Sequence, residues 1–175
     1  MIILQSNDSF LDQSIYSLLK QKNLVLIEGQ SEYKFIINIK NYNNKLNVII
    51  NNNSYDFKLP LNLNRLMNKI IEELQKYKID FKNISYFPYQ RVIENDQKQK
   101  LNLSDIQNSI FLFLFNKENG VDKDSLYRKI WHHDADISMN KLDTHLTNLK
   151  NQSQKKLNLN ISFQSYNKSL RLIIN

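Results

Sequence analysis

Four runs of strand-forming residues, 24–28, 33–40, 46–51 and 55–59, are separated by polar turns of only three to five residues. Parallel neighbours need a crossover of roughly a dozen residues or more, so runs this close are expected to pair as an antiparallel meander. A short apolar strand at 2–4 and a helix over 8–22 precede them, with Phe10, Leu11, Ile15, Leu18 and Leu19 on one stripe. Pro60 introduces an amphipathic helix over 63–77, with Leu63, Leu66, Met67, Ile70, Ile71 and Leu74 apolar. Residues 78–83 read as a linker. Two small domains are therefore expected, over 1–77 and 84–175.

The second half begins with short strands at 84–87, 89–94 and 100–103. Ser104 with Gln107 three residues on is a capping box, and it opens an apolar helix over 105–118 that Asn119-Gly120 would stop. Asp122 is a good N-cap for a second helix ending near Trp131, with Leu126, Tyr127 and Ile130 inward. A polar loop, HHDAD, leads to a third helix over 138–155, and 159–163 with 170–174 read as two strands around a turn at 165–169. The expected fold class is α+β.

Composition removes most function classes. The 175 residues hold no cysteine, which excludes a disulfide scaffold, a thiol enzyme, a zinc ribbon and an iron–sulfur protein. With two glycines and three histidines there is no P-loop, dinucleotide fingerprint or nucleophile triad, so neither an enzyme nor a cofactor is expected. The longest apolar run, 110–115, is far short of the ~18–20 residues of a membrane span. MIILQSND has neither a basic n-region nor an A-x-A site, so a cytoplasmic protein is expected.

The net charge of +7 needs discounting, because 26 Asn, 21 Ile and 20 Lys against 4 Arg and one Ala reflect AT-rich codons. Its location says more. Residues 137–175 carry Lys141, Lys150, Lys155, Lys156, Lys168 and Arg171 against Asp143 alone, so this stretch holds +5 of the total. Such a footprint attracts phosphate.

On a helical wheel at about 100° per residue, Leu142, Leu146 and Leu149 fall within about 60° and define a seam. Asn140, Thr144, Asn148, Asn151 and Lys155 lie opposite, flanked by Lys141 and Thr147. Asn bonds adenine bidentately, Thr bonds bases or touches a thymine methyl, and Lys reaches phosphate or guanine. A helix of this kind followed by a basic hairpin meets the requirements of a reading helix plus wing.

Residues 84–175 resemble the winged-helix effector domain of the OmpR/PhoB type of bacterial two-component response regulator. LNLSDIQNSIFLFLF (101–115) is similar to that family's strand and first helix, and DKDSLYRKIW (122–131) to its second helix with the terminal Trp. LDTHLTNLK (142–150) resembles the recognition-helix core, with Asp143, His145, Leu146 and Leu149 at matching positions, and LRLIIN (170–175) resembles the end of the wing. The resemblance implies a winged helix-turn-helix domain that binds double-stranded DNA, here AT-rich. The DNA contacts it implies are Trp131, Asn140, Lys141, Thr144, His145, Thr147, Asn148, Lys150, Asn151, Lys155, Tyr166 and Lys168. The family usually has arginines where this chain has Asn140, Asn148 and Lys150, and a Gly-flanked arginine in the wing where it has SYNKS. Losing guanidinium forks removes bidentate guanine and phosphate contacts, which implies altered specificity.

Residues 3–22 and 58–77 resemble the first strand and helix and the last loop and helix of the family's receiver domain. Phosphorylation there needs an acidic pair for Mg²⁺ and an aspartate, and Ser6, Asn7 and Asn38 stand at those places. A degenerate, shortened receiver that works without phosphorylation is expected. Its role would be homodimerisation or recognition of a protein partner, through the helix 63–77 or a sheet edge. The chain as a whole is expected to be a DNA-binding transcriptional regulator. The alternative is a protein-interaction adaptor that keeps the scaffold and has lost specific DNA binding.

Other residues have ordinary readings. His132-His133-Asp134-Ala135-Asp136 lacks a second cluster to complete a metal site. His145 is expected to pack or to bond a phosphate, and Trp131 to plug the core unless its indole N–H reaches a phosphate. Tyr86, Phe87 and Tyr89 around Pro88 fit sheet packing better than base stacking. Asp122 and Asp124 suit the start of a helix.

Overall fold

A computed structural model describes residues 2–22, 24, 35–42, 45–115, 117, 119–131 and 140–175. The protein is α+β, and it divides into two compact units, Met1–Tyr77 and Lys78–Asn175. No helix among the described residues is long and apolar enough to cross a membrane.

In the first unit, β1 (Ile2–Gln5) pairs in parallel with β2 (Phe35–Tyr42), which pairs antiparallel with β3 (Lys45–Ile50), and β3 with β4 (Asn53–Lys58). The last three strands form the meander that turn length predicts. Asn51 and Asn52 make the β3–β4 turn at φ 45° and 73°, a left-handed conformation that Asn tolerates better than most residues. The expected run at 24–28 lies, apart from Leu24, outside the described residues.

Strand alternation gives the sheet one apolar face, where Phe35, Ile37, Ile39, Leu46, Val48, Ile50 and Phe57 are buried. The helices α1 (Ser9–Gln21) and α2 (Leu63–Lys76) bury Ile15 and Leu19, and Leu66, Met67, Ile70 and Leu74. Asp8 caps α1 by accepting from the Phe10 and Leu11 amides at 3.0 and 3.1 Å, and Asn62 caps α2 through the Arg65 amide at 3.0 Å. Phe10, expected on the buried stripe, is 78% exposed. It lies about 140° around the helix from Ile15, whereas Leu19 is only about 40° away.

In the second unit, β5 (Ile79–Phe81), β6 (Ile84–Phe87), β7 (Val92–Asn95) and β8 (Lys100–Asn102) make a four-stranded antiparallel sheet. The expected linker at 78–83 is thus a strand and a turn. Lys82, at φ 50°, begins a two-residue connection to β6, and Phe81 packs edge-on against Phe115 at 5.4 Å. Tyr89, expected in a strand, lies in the turn before β7. Then follow α3 (Asp105–Leu114), β9 (Val121–Asp122), α4 (Lys123–Trp131), α5 (Asn140–Leu157), β10 (Ile161–Tyr166) and β11 (Ser169–Ile174), with sheet order β10-β11-β9.

The capping box forms as expected. The Gln107 amide donates to Ser104 Oγ at 3.2 Å, and the Ser104 amide to Gln107 Oε1 at 3.0 Å. The helix nevertheless ends at Leu114, earlier than 118, because Phe115 turns to an extended conformation and stacks on Phe111 at 5.3 Å. Gly120 therefore serves a different purpose from stopping α3. At φ 72°, a Cβ there would lie 2.5 Å from Ser169 Oγ and 2.8 Å from the Leu170 carbonyl oxygen. Its bare Cα lets β9 approach β11.

Tyr86 is fully buried and donates to Asn108 Oδ1 at 2.7 Å, while Asn108 Nδ2 donates to the Pro88 carbonyl at 3.1 Å. Burial pushes the Tyr86 hydroxyl well above its ordinary pKa. Tyr86 and Tyr89 are core residues, and Phe87 is half-buried.

Acid should weaken the first unit in a defined window. Hydrogen bonds from Lys69 and Lys76 hold the Glu72 carboxyl down at about 2, against an ordinary value of 4.5. Burial pushes Glu73 up, but hydrogen bonds from Lys76, Tyr55 and Asn53 outweigh it and leave the carboxyl below its ordinary value. A depressed folded-state pKa adds stability that is complete above about pH 4.5 and is lost as pH falls toward about 2. Thermal unfolding followed between these limits should show a shallower pH dependence in Glu72→Gln/Glu73→Gln than in the wild type.

Candidate nucleic-acid interface

The helix α5 is held by a narrow strip. Leu142, Leu146, Leu149, Ser153 and Leu157 are buried, a spacing of three and four residues that continues the predicted leucine seam by two positions. The helix runs from Asn140 to Leu157, while 138 and 139 of the expected span lie outside the described residues. Its C-terminus is closed by Asn158 at φ 49°, by the Leu159 amide donating to the Ser153 carbonyl at 3.2 Å, and by Asn95 Nδ2 donating to the Leu157 carbonyl at 3.0 Å. Gln107 Nε2 donates to Gln152 Oε1 at 3.2 Å, which ties the α3 capping box to the flank of α5.

Opposite the strip, Lys141, Thr144, Asn148, Asn151 and Lys155 are exposed, with Thr147 beside them. These residues share one face, as the wheel predicts. Lys150 is also exposed but stands on the other flank, with Asp143. Asn140 is the first residue of the helix. His145 and Trp131 are half-buried and lie 6.0 Å apart, and Trp131 stacks on Tyr127 at 4.6 Å. Both are packing residues at the margin of the exposed face. The HHDAD loop lies outside the described residues, and no metal-holding cluster occurs among those described.

Asp122 caps α4 by accepting from the Ser125 amide at 2.8 Å. The hairpin turn is tighter than the expected 165–169. Asn167 and Lys168 alone connect β10 to β11, at φ 45° and 63°, a pair of left-handed residues that matches the twist of the strands. The tip is anchored, because the Lys123 amide donates to the Lys168 carbonyl at 2.9 Å and Ser169 Oγ to the Asn119 carbonyl at 3.0 Å. Lys168 is exposed, and Tyr166 is 79% exposed.

One residue of the basic tail, Arg171, belongs to this surface although it is not among the expected DNA contacts. Arg171 pairs with Gln164 across the hairpin and is exposed, whereas Leu170, on the opposite face, is buried. Register puts Arg171 on the face that carries Tyr166. Strand alternation through 170–174 was the available signal. The basic hairpin thus carries a guanidinium on its outer face, set back from the tip.

No family model matches the chain, and no curated protein matches it significantly.

The strip yields a stability test. Ser153 Oγ is buried and has no hydrogen-bond partner among the described residues, and a buried hydroxyl left this way costs roughly 1–3 kcal/mol. Ser153→Ala should therefore raise the melting temperature in a calorimetric scan. A fall would mean that the hydroxyl is satisfied in solution.

Proposed function

We propose that this chain is a DNA-binding transcriptional regulator of atypical response-regulator type, independent of phosphorylation and without enzymatic activity or cofactor. In this reading residues 84–175 are a winged helix-turn-helix domain, with α5 the reading helix and the β10–β11 hairpin the wing. The observation that carries it is the polar face of α5. Lys141, Thr144, Asn148, Asn151 and Lys155 are exposed together opposite the buried strip, with no carboxylate on that face. Tyr166, Lys168 and Arg171 on the hairpin add donors, a cation and a guanidinium. These side chains suit AT-rich duplex: Asn and Thr for adenine and thymine edges, Lys for phosphates.

The first unit is proposed as the regulatory half, a shortened receiver-like domain that dimerises or binds a protein partner. The expected helix surface, α2, turns Arg65, Asn68, Glu72 and Lys76 outward, so the edge of β4, which pairs with no further strand among the described residues, is the better surface for a second copy. Ser6, Asn7 and Asn38 do line one cleft, of about 330 Å³, together with Gln5, Ile39, Lys40 and Asn41. None of these side chains can take the place of the acidic residues that phosphorylation requires. Incubation with Mg²⁺ and acetyl phosphate should leave the intact mass unchanged, and a stable adduct on the first unit would refute phosphorylation independence.

Paired gel-shift titrations test the DNA reading. Asn148→Ala should weaken a preferred AT-rich duplex by about 1–3 kcal/mol, roughly 5- to 150-fold, and scrambled duplex much less. Lys155→Ala should weaken both alike and lower the salt slope by about 0.9. If both folded variants match wild type on both duplexes, α5 has no reading role. Feeble, salt-insensitive binding by the wild type would favour the adaptor reading.

A further inference from the structure

The first unit carries a basic surface that the proposed reading helix does not use. Register sorts its sheet into two faces, and the outward one bears Ile3, Gln5, Ile36, Asn38, Lys40, Lys45, Asn47, Ile49, Ser54, Asp56 and Lys58. All of these are exposed or half-buried, in contrast to the apolar side, against which α2 packs through Glu73 and Asn53. Lys45 pairs directly with Lys58 across β3 and β4, and Lys40 is diagonal to Lys45 on the adjoining strand. Among the described residues none of these three lysines joins an ion pair, whereas Lys69 and Lys76 on α2 are tied to Glu72 and Glu73. Asp56, the one carboxylate on this face, accepts from Asn47 Nδ2 at 2.7 Å.

Like charges directly opposite in a sheet destabilise it, and a nearby anion removes that penalty. Around the lysines the register places Asn38 and Asn47 beside Lys40, and Tyr42 opposite Lys45, while the apolar Ile3, Ile36 and Ile49 of this face lie toward the other end of the sheet. The basic corner thus lacks the apolar centre of a self-pairing face. Two copies stacked face to face on this corner would set lysine against lysine.

We infer that the outward face of the β1–β4 sheet, centred on Lys40, Lys45 and Lys58, is a second nucleic-acid contact that grips the phosphate backbone of duplex DNA. It rests on the proposed DNA-binding role and extends it. The three lysines supply point charges, and the Asn47 amide between them already donates to Ser54 and Asp56, so the corner adds affinity and salt dependence, while sequence discrimination stays with α5.

The test uses the full chain and the same two duplexes, with binding followed by fluorescence anisotropy across a salt series. Lys45→Gln/Lys58→Gln should lower the salt slope by about 1.8 on both duplexes and leave their affinity ratio unchanged. Lys20→Gln/Lys22→Gln, on α1 and its C-cap, removes the same charge and should change the slope by less than about 0.5. Lys45→Arg/Lys58→Arg should retain the wild-type slope, and the Gln variant should melt at or above the wild-type temperature because the like-charge pair is gone. A Gln variant whose slope matches that of the α1 control overturns the inference and leaves the α5 reading intact. A lost slope in the Gln variant, alongside α5 variants that behave as wild type, overturns the α5 reading and sustains the sheet contact. Absence of salt-sensitive binding by the wild type overturns both.

Discussion

A strip of four leucines and a serine holds α5 in place, and the second unit's candidate chemistry depends on it. At ~25 cal/mol per Å² of buried apolar surface, each leucine contributes roughly 2 kcal/mol, so the strip supplies only a modest share of what ordering eighteen residues costs. The ends make up part of the difference. Asn95 and the Leu159 amide satisfy carbonyls in the last turns, and Gln107 reaches Gln152 from the α3 cap. Because the apolar contact is narrow, most of the circumference remains outside it. The same narrowness that makes the helix dependent on its neighbours leaves Lys141, Thr144, Asn148, Asn151 and Lys155 exposed to solvent.

The strongest local rules were those legible in the sequence. Turn length fixed the antiparallel order of β2, β3 and β4, since no helix fits between them. The Ser104–Gln107 capping box and the Asp122 cap each depend on a few adjacent atoms, and both formed. Helix periodicity separated the leucine strip from the polar face of α5, although it stopped short of Ser153 and Leu157. What was not legible depended on partners far away in sequence. Gly120 reads as a helix stop beside Asn119, yet its lack of a side chain serves a strand about fifty residues on. Phe115 ends α3 early because its ring belongs with Phe81, Tyr86 and Phe111. Residues 78–83 look like a linker because the strand they contain is three residues long and borrows its hydrogen bonds from β6.

The hairpin combines both kinds of information. Asn167-Lys168 is a weak turn signal beside Asn-Gly, and it pointed to a looser connection than the two-residue turn that forms. Tightening the turn by even one residue changes which side chains share a face, since the strand period is two. The register therefore decides that Tyr166 and Arg171 lie together while Leu170 faces the core. Residue types alone reveal the basic charge of the tail. Strand alternation through 170–174 hints that its guanidinium sits on the exposed side, and the pairing with Gln164 fixes it there.

The distribution of lysine and arginine across these surfaces carries a chemical consequence. Lysine is a hydrated point charge that approaches a phosphate from many directions, whereas guanidinium presents a planar fork matched to two acceptors. The α5 face has lysines at Lys141 and Lys155 and no arginine, so the bidentate chemistry on it belongs to Asn148 and Asn151, whose amides match adenine. In the proposed reading, affinity and discrimination would come from different residues: the lysines would set how tightly any duplex is held, and the amides which one. A basic sheet in the first unit would enlarge the first quantity without touching the second. Each added phosphate contact raises binding to all sequences equally, so discrimination would remain limited to the few kilocalories that Asn and Thr can provide.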